Sequence, residues 1–164
     1  MSLHGSHNYS RLYYHFITHS KYKLPTLAGP ARKIIMDVAE EKAEKFESKV
    51  ISMNGSDSHL HFLVNAKPTF PVSRFIGELK GASSFKINRK LPLPYTFEWQ
   101  VGFAVFSISY GHVDKVKGYI YKQQQHHGCA AALEARFTRD ELRPWGYEDP
   151  VVLYMAGDAL CLEA

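Results

Sequence analysis

Between Val50 and Ala66 two strand-like runs flank a cluster of turn residues, which commits the middle of the chain to an antiparallel hairpin. Val50 to Met53 is the first run. Asn54-Gly55-Ser56-Asp57 follows, and Asn-Gly is the hairpin signal within it. Leu60 to Ala66 completes the pair. The rest must be built around this unit. Upstream, Arg11 to Thr18 reads as a strand, and Pro30 opens a helix with Ile34, Ile35, Val38, Ala39 and Phe46 at helical spacing. Downstream, Pro68 and Pro71 interrupt the chain before a helix from Val72 to Asn88. Gly77 and Gly81 weaken that helix by roughly 1 kcal/mol each, which suggests close packing there. Pro92 and Pro94 end it. Gly102 to Ser109 alternates like a strand, and Asp114 to His127 reads as a helix closed by Gly128. The order β-α-β-β-α-β-α predicts an α+β fold: a ferredoxin-like split βαβ antiparallel sheet with helices on one face plus a C-terminal helix. Many functions use that fold, so function must come from the site.

With 164 residues a single domain over 1–164 is expected, its core at about 9–128 and a tail at 129–164. The two cysteines, Cys129 and Cys161, exclude a disulfide framework and a multi-thiolate zinc site. No run approaches the ~18 apolar residues of a membrane span, and the start lacks a signal-peptide order, so a soluble, cytoplasmic protein is expected. Charge is uneven. Lys67 to His127 holds nine basic residues and three acids, whereas Gly128 onward holds three basic residues and seven acids. The pattern fits either two solvated faces or a phosphate-binding surface in the middle.

His59-Leu60-His61 lies on the second strand of the hairpin. Residues two apart on a strand share a face, so His59 and His61 project together while Leu60, Phe62 and Val64 face the other way. Two imidazoles about 7 Å apart at Cα can converge on one metal ion. The spacing equally describes ordinary polar-face histidines. On the last helix Tyr119 and Gln123 are four apart and share a face. Taken alone, such a tyrosine reads as core packing.

Together these residues resemble the HUH single-tyrosine transposases, the small enzymes of insertion sequences and their relatives associated with repetitive extragenic palindromes. His59-Leu60-His61 on a strand is followed by Tyr119-Ile120 and Gln123 on a helix. Tyr14 to Lys23, Leu79-Lys80-Gly81-Ala82-Ser83-Ser84, and Trp99 to Phe103 leading into Phe106-Ser107-Ile108-Ser109 are similar to the family as well. The resemblance runs from about Tyr9 to Tyr147. Family members usually carry an acid immediately before the first histidine. Here Ser58 stands there, with Asp57 one step back, so either Asp57 reaches His59 or the site binds metal less tightly.

The resemblance implies cleavage and rejoining of single-stranded DNA at hairpin-flanked sites through a 5′-phosphotyrosine. His59, His61 and Gln123 become candidate ligands of Mg2+ or Mn2+, and Tyr119 the candidate nucleophile. Lys80, Ser83, Ser84, Lys86, Arg89, Lys115, Lys117 and Lys122 become candidate nucleic-acid contacts. Tyr95, Phe97 and Trp99 are candidates for stacking on unpaired bases or for the core. A homodimer with active sites shared between subunits is implied too, with Gly111 and Gly118 as points where the tyrosine helix can move. The competing reading is a non-catalytic protein of the same fold that only binds hairpin DNA or RNA. A phosphodiesterase with two His-x-Thr/Ser motifs is excluded, because the chain lacks such a pair.

Overall fold

The computed structural model describes residues 9–123. The chain divides into two units, Met1–Tyr121 and Lys122–Ala164. The fold below belongs to the first. Expectations that fall on residues 124–164, including the helix end at Gly128, lie outside the described residues.

Four strands form one antiparallel sheet in the order β2-β3-β1-β4. They are β1 (Leu12–His19), β2 (Lys49–Gly55), β3 (His59–Ala66) and β4 (Ala104–Ile108). The helices are α1 (Gly29–Lys45), α2 (Val72–Lys90) and α3 (Val113–Tyr121). This is the expected split βαβ arrangement with a further helix after the last strand. Pro30 sits in the first turn of α1, where its missing N–H costs nothing.

Alternation along the central strands sorts the two faces. Phe16, Leu60, Phe62 and Val64 enter a core with Ile35, Val38 and Ala39 of α1 and Phe75, Ile76 and Leu79 of α2. Residues of opposite parity, His15, His59 and His61, face the other way, where the Tyr119 ring of α3 meets His15 and His61. Thus α1 and α2 cover one face and α3 the other.

The hairpin differs from its sequence reading. Asn54 and Gly55 are strand residues, paired with His61 and Leu60, and the turn is Ser56-Asp57-Ser58. Gly55 serves close approach and not turn geometry: a Cβ there would sit 2.1 Å from the His59 carbonyl oxygen and 2.8 Å from the Leu60 Cα. Gly77 and Gly81 reverse the expectation in the opposite sense, since a Cβ at either would meet nothing within 4 Å. Phe97 and Trp99 are core residues, and Tyr95 hydrogen-bonds Thr26 through its hydroxyl at 2.7 Å. Among the described residues no helix is long and apolar enough to cross a membrane.

Candidate functional site

Strand pairing assembles four imidazoles on the α3 face. His19 lies directly across from His59, and His15 lies diagonally from His61, which pairs with Ile17. Ring centroids are 5.5 Å apart for His19–His59, 5.1 Å for His59–His61 and 5.1 Å for His15–His61. Tyr119 closes the group, 5.8 Å from His61 and 6.4 Å from His15, edge-on to both. His15 and His61 are fully buried; His59 and Tyr119 are nearly so.

The packing of α3 follows from its sequence. Val113, Val116, Tyr119 and Ile120 recur at helical spacing and are buried, while Lys115 and Lys117 are exposed. The helix end is pinned: the Asn54 side-chain amide donates to the Tyr121 carbonyl at 2.9 Å, and Asn54 Oδ1 accepts from Arg32 at 3.1 Å. Arg32 also donates to the Gly55 and Ser56 carbonyls at 3.0 and 2.6 Å. One guanidinium therefore braces the turn that carries His59 and, through Asn54, the helix that carries Tyr119. One subunit thus brings the tyrosine to its own histidines; sharing between subunits is not needed for that.

Each histidine of the pair is held at Nδ1. His59 Nδ1 is 2.7 Å from Ser56 Oγ, and His61 Nδ1 is 2.9 Å from His15 Nε2. Asp57, the acid nearest His59 in sequence, is exposed, and its carbonyl accepts from the Leu27 N–H. Ser56 Oγ also accepts the backbone N–H groups of Ser58 and His59, each at 3.1 Å. Those two bonds fill its lone pairs, so it meets His59 Nδ1 with its own proton.

The donor chemistry suits a cation in part. With Nδ1 engaged in both rings, Nε2 would be the ligating nitrogen wherever the ring proton sits on Nδ1. Among the described residues no three His, Cys, Asp or Glu side chains are grouped to hold a metal ion. Among the described residues a third protein donor would be of another kind, such as an amide oxygen. Gln123 is buried, belongs to the second unit and lies two residues past α3.

The expected nucleic-acid contacts separate into groups. Ser83 is buried and accepts the Trp99 indole N–H at 2.9 Å, so it cannot present its hydroxyl to a phosphate. Lys80 donates to the Gln100 carbonyl at 2.8 Å and to the Gly102 carbonyl. Burial pushes its ammonium down to about 8. These two residues fasten the segment before β4 to α2. Ser84 donates back to the Lys80 carbonyl at 2.8 Å within its own helix. Lys86 pairs with Glu41 at 3.1 Å, and Arg89 is exposed. Both are on α2, across the sheet from the histidines. Lys115 and Lys117, on α3, share the histidine face of the sheet. Lys122 is exposed in the second unit.

Sequence reading missed His15 and Ser56. His15 had a legible signal, a polar residue at the inward parity of a buried strand. Ser56 had none, because its role depends on which residues make the turn.

A family model described as IS200-like transposase matches residues 8–123. The ISDra2 transposase of Deinococcus radiodurans is 26% identical over 120 residues, covering 69% of this chain and 84% of that protein. The transposase for insertion sequence element IS200 of Salmonella typhimurium is 24% identical over 115 residues, covering 67% and 75%. Among solved structures, a transposase from Deinococcus radiodurans superposes with a TM-score of 0.57 at 23% identity, covering 75% of this chain and 98% of that one. A REP-associated tyrosine transposase bound to a REP hairpin superposes with a TM-score of 0.58 at 15% identity, covering 78% and 75%. Both structural likenesses concern the fold.

Proposed function

The chain belongs to the IS200-like transposase family, and from that premise we propose that it cleaves and rejoins single-stranded DNA at hairpin-flanked sites, with Tyr119 as nucleophile. The observation that carries this reading is the Tyr119 ring 5.8 Å from His61, within a group of buried imidazoles. A binder would have no need of such a group. The Tyr119 hydroxyl oxygen attacks the scissile phosphorus. The P–O3′ bond breaks, the departing 3′-oxygen takes up a proton, and the tyrosine gives one up. The 5′-phosphate stays on Tyr119, so the phosphodiester's energy is kept and a new 3′-hydroxyl can reverse the step without ATP.

His59, His61 and Gln123 would hold a divalent cation. When bound, it supplies charge neutralisation at the scissile phosphate. An imidazole-rich set favours Mn2+ over Mg2+. Lys115 and Lys117 precede Tyr119 on α3 and would follow the backbone of the cut strand. Lys86, Arg89, Lys122 and the helix-bonded Ser84 remain candidates for more distant contacts with a hairpin, the ligand to which the REP-associated neighbour is bound. We take the protein to act as a homodimer in which each Tyr119 works with the histidines of its own chain. Formation of a denaturation-resistant adduct with hairpin-bearing single-stranded DNA, lost in Tyr119→Phe, tests the reading.

A further inference from the structure

His61 and His59 are not equivalent as prospective ligands, and the difference lies in what meets their Nδ1 atoms. We propose that His15 is a positioning residue: its Nε2 accepts the Nδ1–H of His61 and thereby keeps the His61 lone pair on Nε2, the ligating nitrogen. The inference rests on the metal reading of the site given above.

The hydrogen bond between the two rings, 2.9 Å long, holds one proton. If His61 donates it, His61 Nε2 is a bare lone pair. If His15 donates it, the proton of neutral His61 sits on Nε2 and that nitrogen cannot ligate. The geometry supports a dedicated support role for His15. It lies at the middle of β1, between β3 and β4, and is fully buried. A polar side chain at such a position costs stability unless it is bonded, so an apolar residue would serve the fold better. The two rings are also stacked, 26° from parallel with centroids 5.1 Å apart, which fixes the His61 plane as well as its tautomer. Ser56 gives His59 no such help, since its hydroxyl meets Nδ1 as a donor. His61 is therefore the prepared ligand and His59 the one that must adjust. Groups that support a ligating histidine in this way change metal affinity by about 10–100-fold.

Two measurements on the full chain decide it. The first is long-range 15N–1H NMR of the metal-free protein, which reads each ring's tautomer. The expected result is His61 protonated on Nδ1. Protonation on Nε2 overturns the proposal, whatever the metal does. The second is Mn2+ binding followed by electron paramagnetic resonance. His15→Phe is expected to weaken Mn2+ about 10–100-fold, and His15→Gln, whose amide oxygen can accept the same proton, to recover most of it. Unchanged affinity in a folded His15→Phe overturns the proposal. If His15→Phe does not fold, the tautomer and the His15→Gln affinity carry the test: a ring proton on Nδ1 with near wild-type affinity supports it, and a loss as large as that of His61→Ala contradicts it. Wild-type protein that binds no Mn2+ while showing the Nδ1 tautomer removes the metal reading and leaves the His15–His61 bond standing, so the two failures are distinct.

Discussion

The Tyr119 ring stands edge-on to the His61 imidazole of the same chain, 5.8 Å between centroids and 87° between planes. That contact joins α3 to β3 and places the candidate nucleophile beside a candidate ligand without a second subunit.

The arrangement makes a prediction about mixed dimers. Tyr119→Phe and His59→Ala/His61→Ala subunits should each be inactive, and mixing them should leave cleavage absent. Recovered cleavage in the mixture would show α3 working in the partner's site, against the Asn54–Tyr121 hydrogen bond that pins it here.

The glycines separate cleanly by backbone space. Gly55→Ala should destabilise the protein by about 1–3 kcal/mol or prevent folding, because the added Cβ meets backbone atoms that cannot turn aside. Gly81→Ala should stabilise it by about 0.5–1 kcal/mol, since it sits in a helix with open space around it. Urea unfolding of both variants checks this; the opposite ordering would sink the account of the hairpin.

Lysines that look alike in sequence should behave differently. Lys115→Ala and Lys117→Ala should leave stability unchanged and lower the salt dependence of DNA binding by about 0.7 per residue. Lys80→Met should act on folding. The Lys80 ammonium is pushed down to about 8, so between that pH and the ordinary lysine value of 10.5 the folded chain has lost a proton that the unfolded chain keeps. Stability from Lys80 therefore rises with pH across that window. The unfolding midpoint of the wild type, measured at pH 8 and pH 10, should carry a rise that Lys80→Met lacks. An identical pH slope in the two proteins would contradict the assignment.

Ser56 sets the quality of the site at His59. For His59 Nε2 to ligate, the Ser56 hydroxyl must turn its proton toward Ser58 Oγ, 3.2 Å away, and give up one of its two backbone N–H bonds to accept the Nδ1–H instead. A carboxylate accepts that proton without rearrangement. Ser56→Asp should therefore tighten Mn2+ about tenfold, measured by titration calorimetry. Equal or weaker binding by a folded variant would rule out Ser56 as the limiting support.

Much of this was legible before the structure. Strand parity put His59 and His61 on one face, and helical spacing put Tyr119 among buried residues. Both are local rules that survive tertiary packing. What escaped depends on contacts far apart in sequence. His15 matters only once β1 pairs with β3 in one particular register. Ser83 and Lys80 read as nucleic-acid contacts, yet the segment from Phe97 to Gly102 lies over them and uses their polar atoms. Gly55 read as turn chemistry because Asn-Gly usually is, and the chain instead turns one residue later over Ser56-Asp57-Ser58. Asp57 is the acid nearest His59 in sequence, yet the group at His59 Nδ1 is the Ser56 hydroxyl.

The direct test of the central claim uses a hairpin-bearing single-stranded oligonucleotide, labelled at its 3′ end, incubated with the protein and Mn2+ and resolved under denaturing conditions. The account predicts a labelled species of protein plus the downstream fragment, absent in Tyr119→Phe, while a 5′-labelled strand is released as a free fragment ending in a 3′-hydroxyl. Adduct at the wild-type level in Tyr119→Phe would contradict Tyr119 as the nucleophile. Hairpin binding by the wild type with no adduct would leave a binding protein in place of an enzyme.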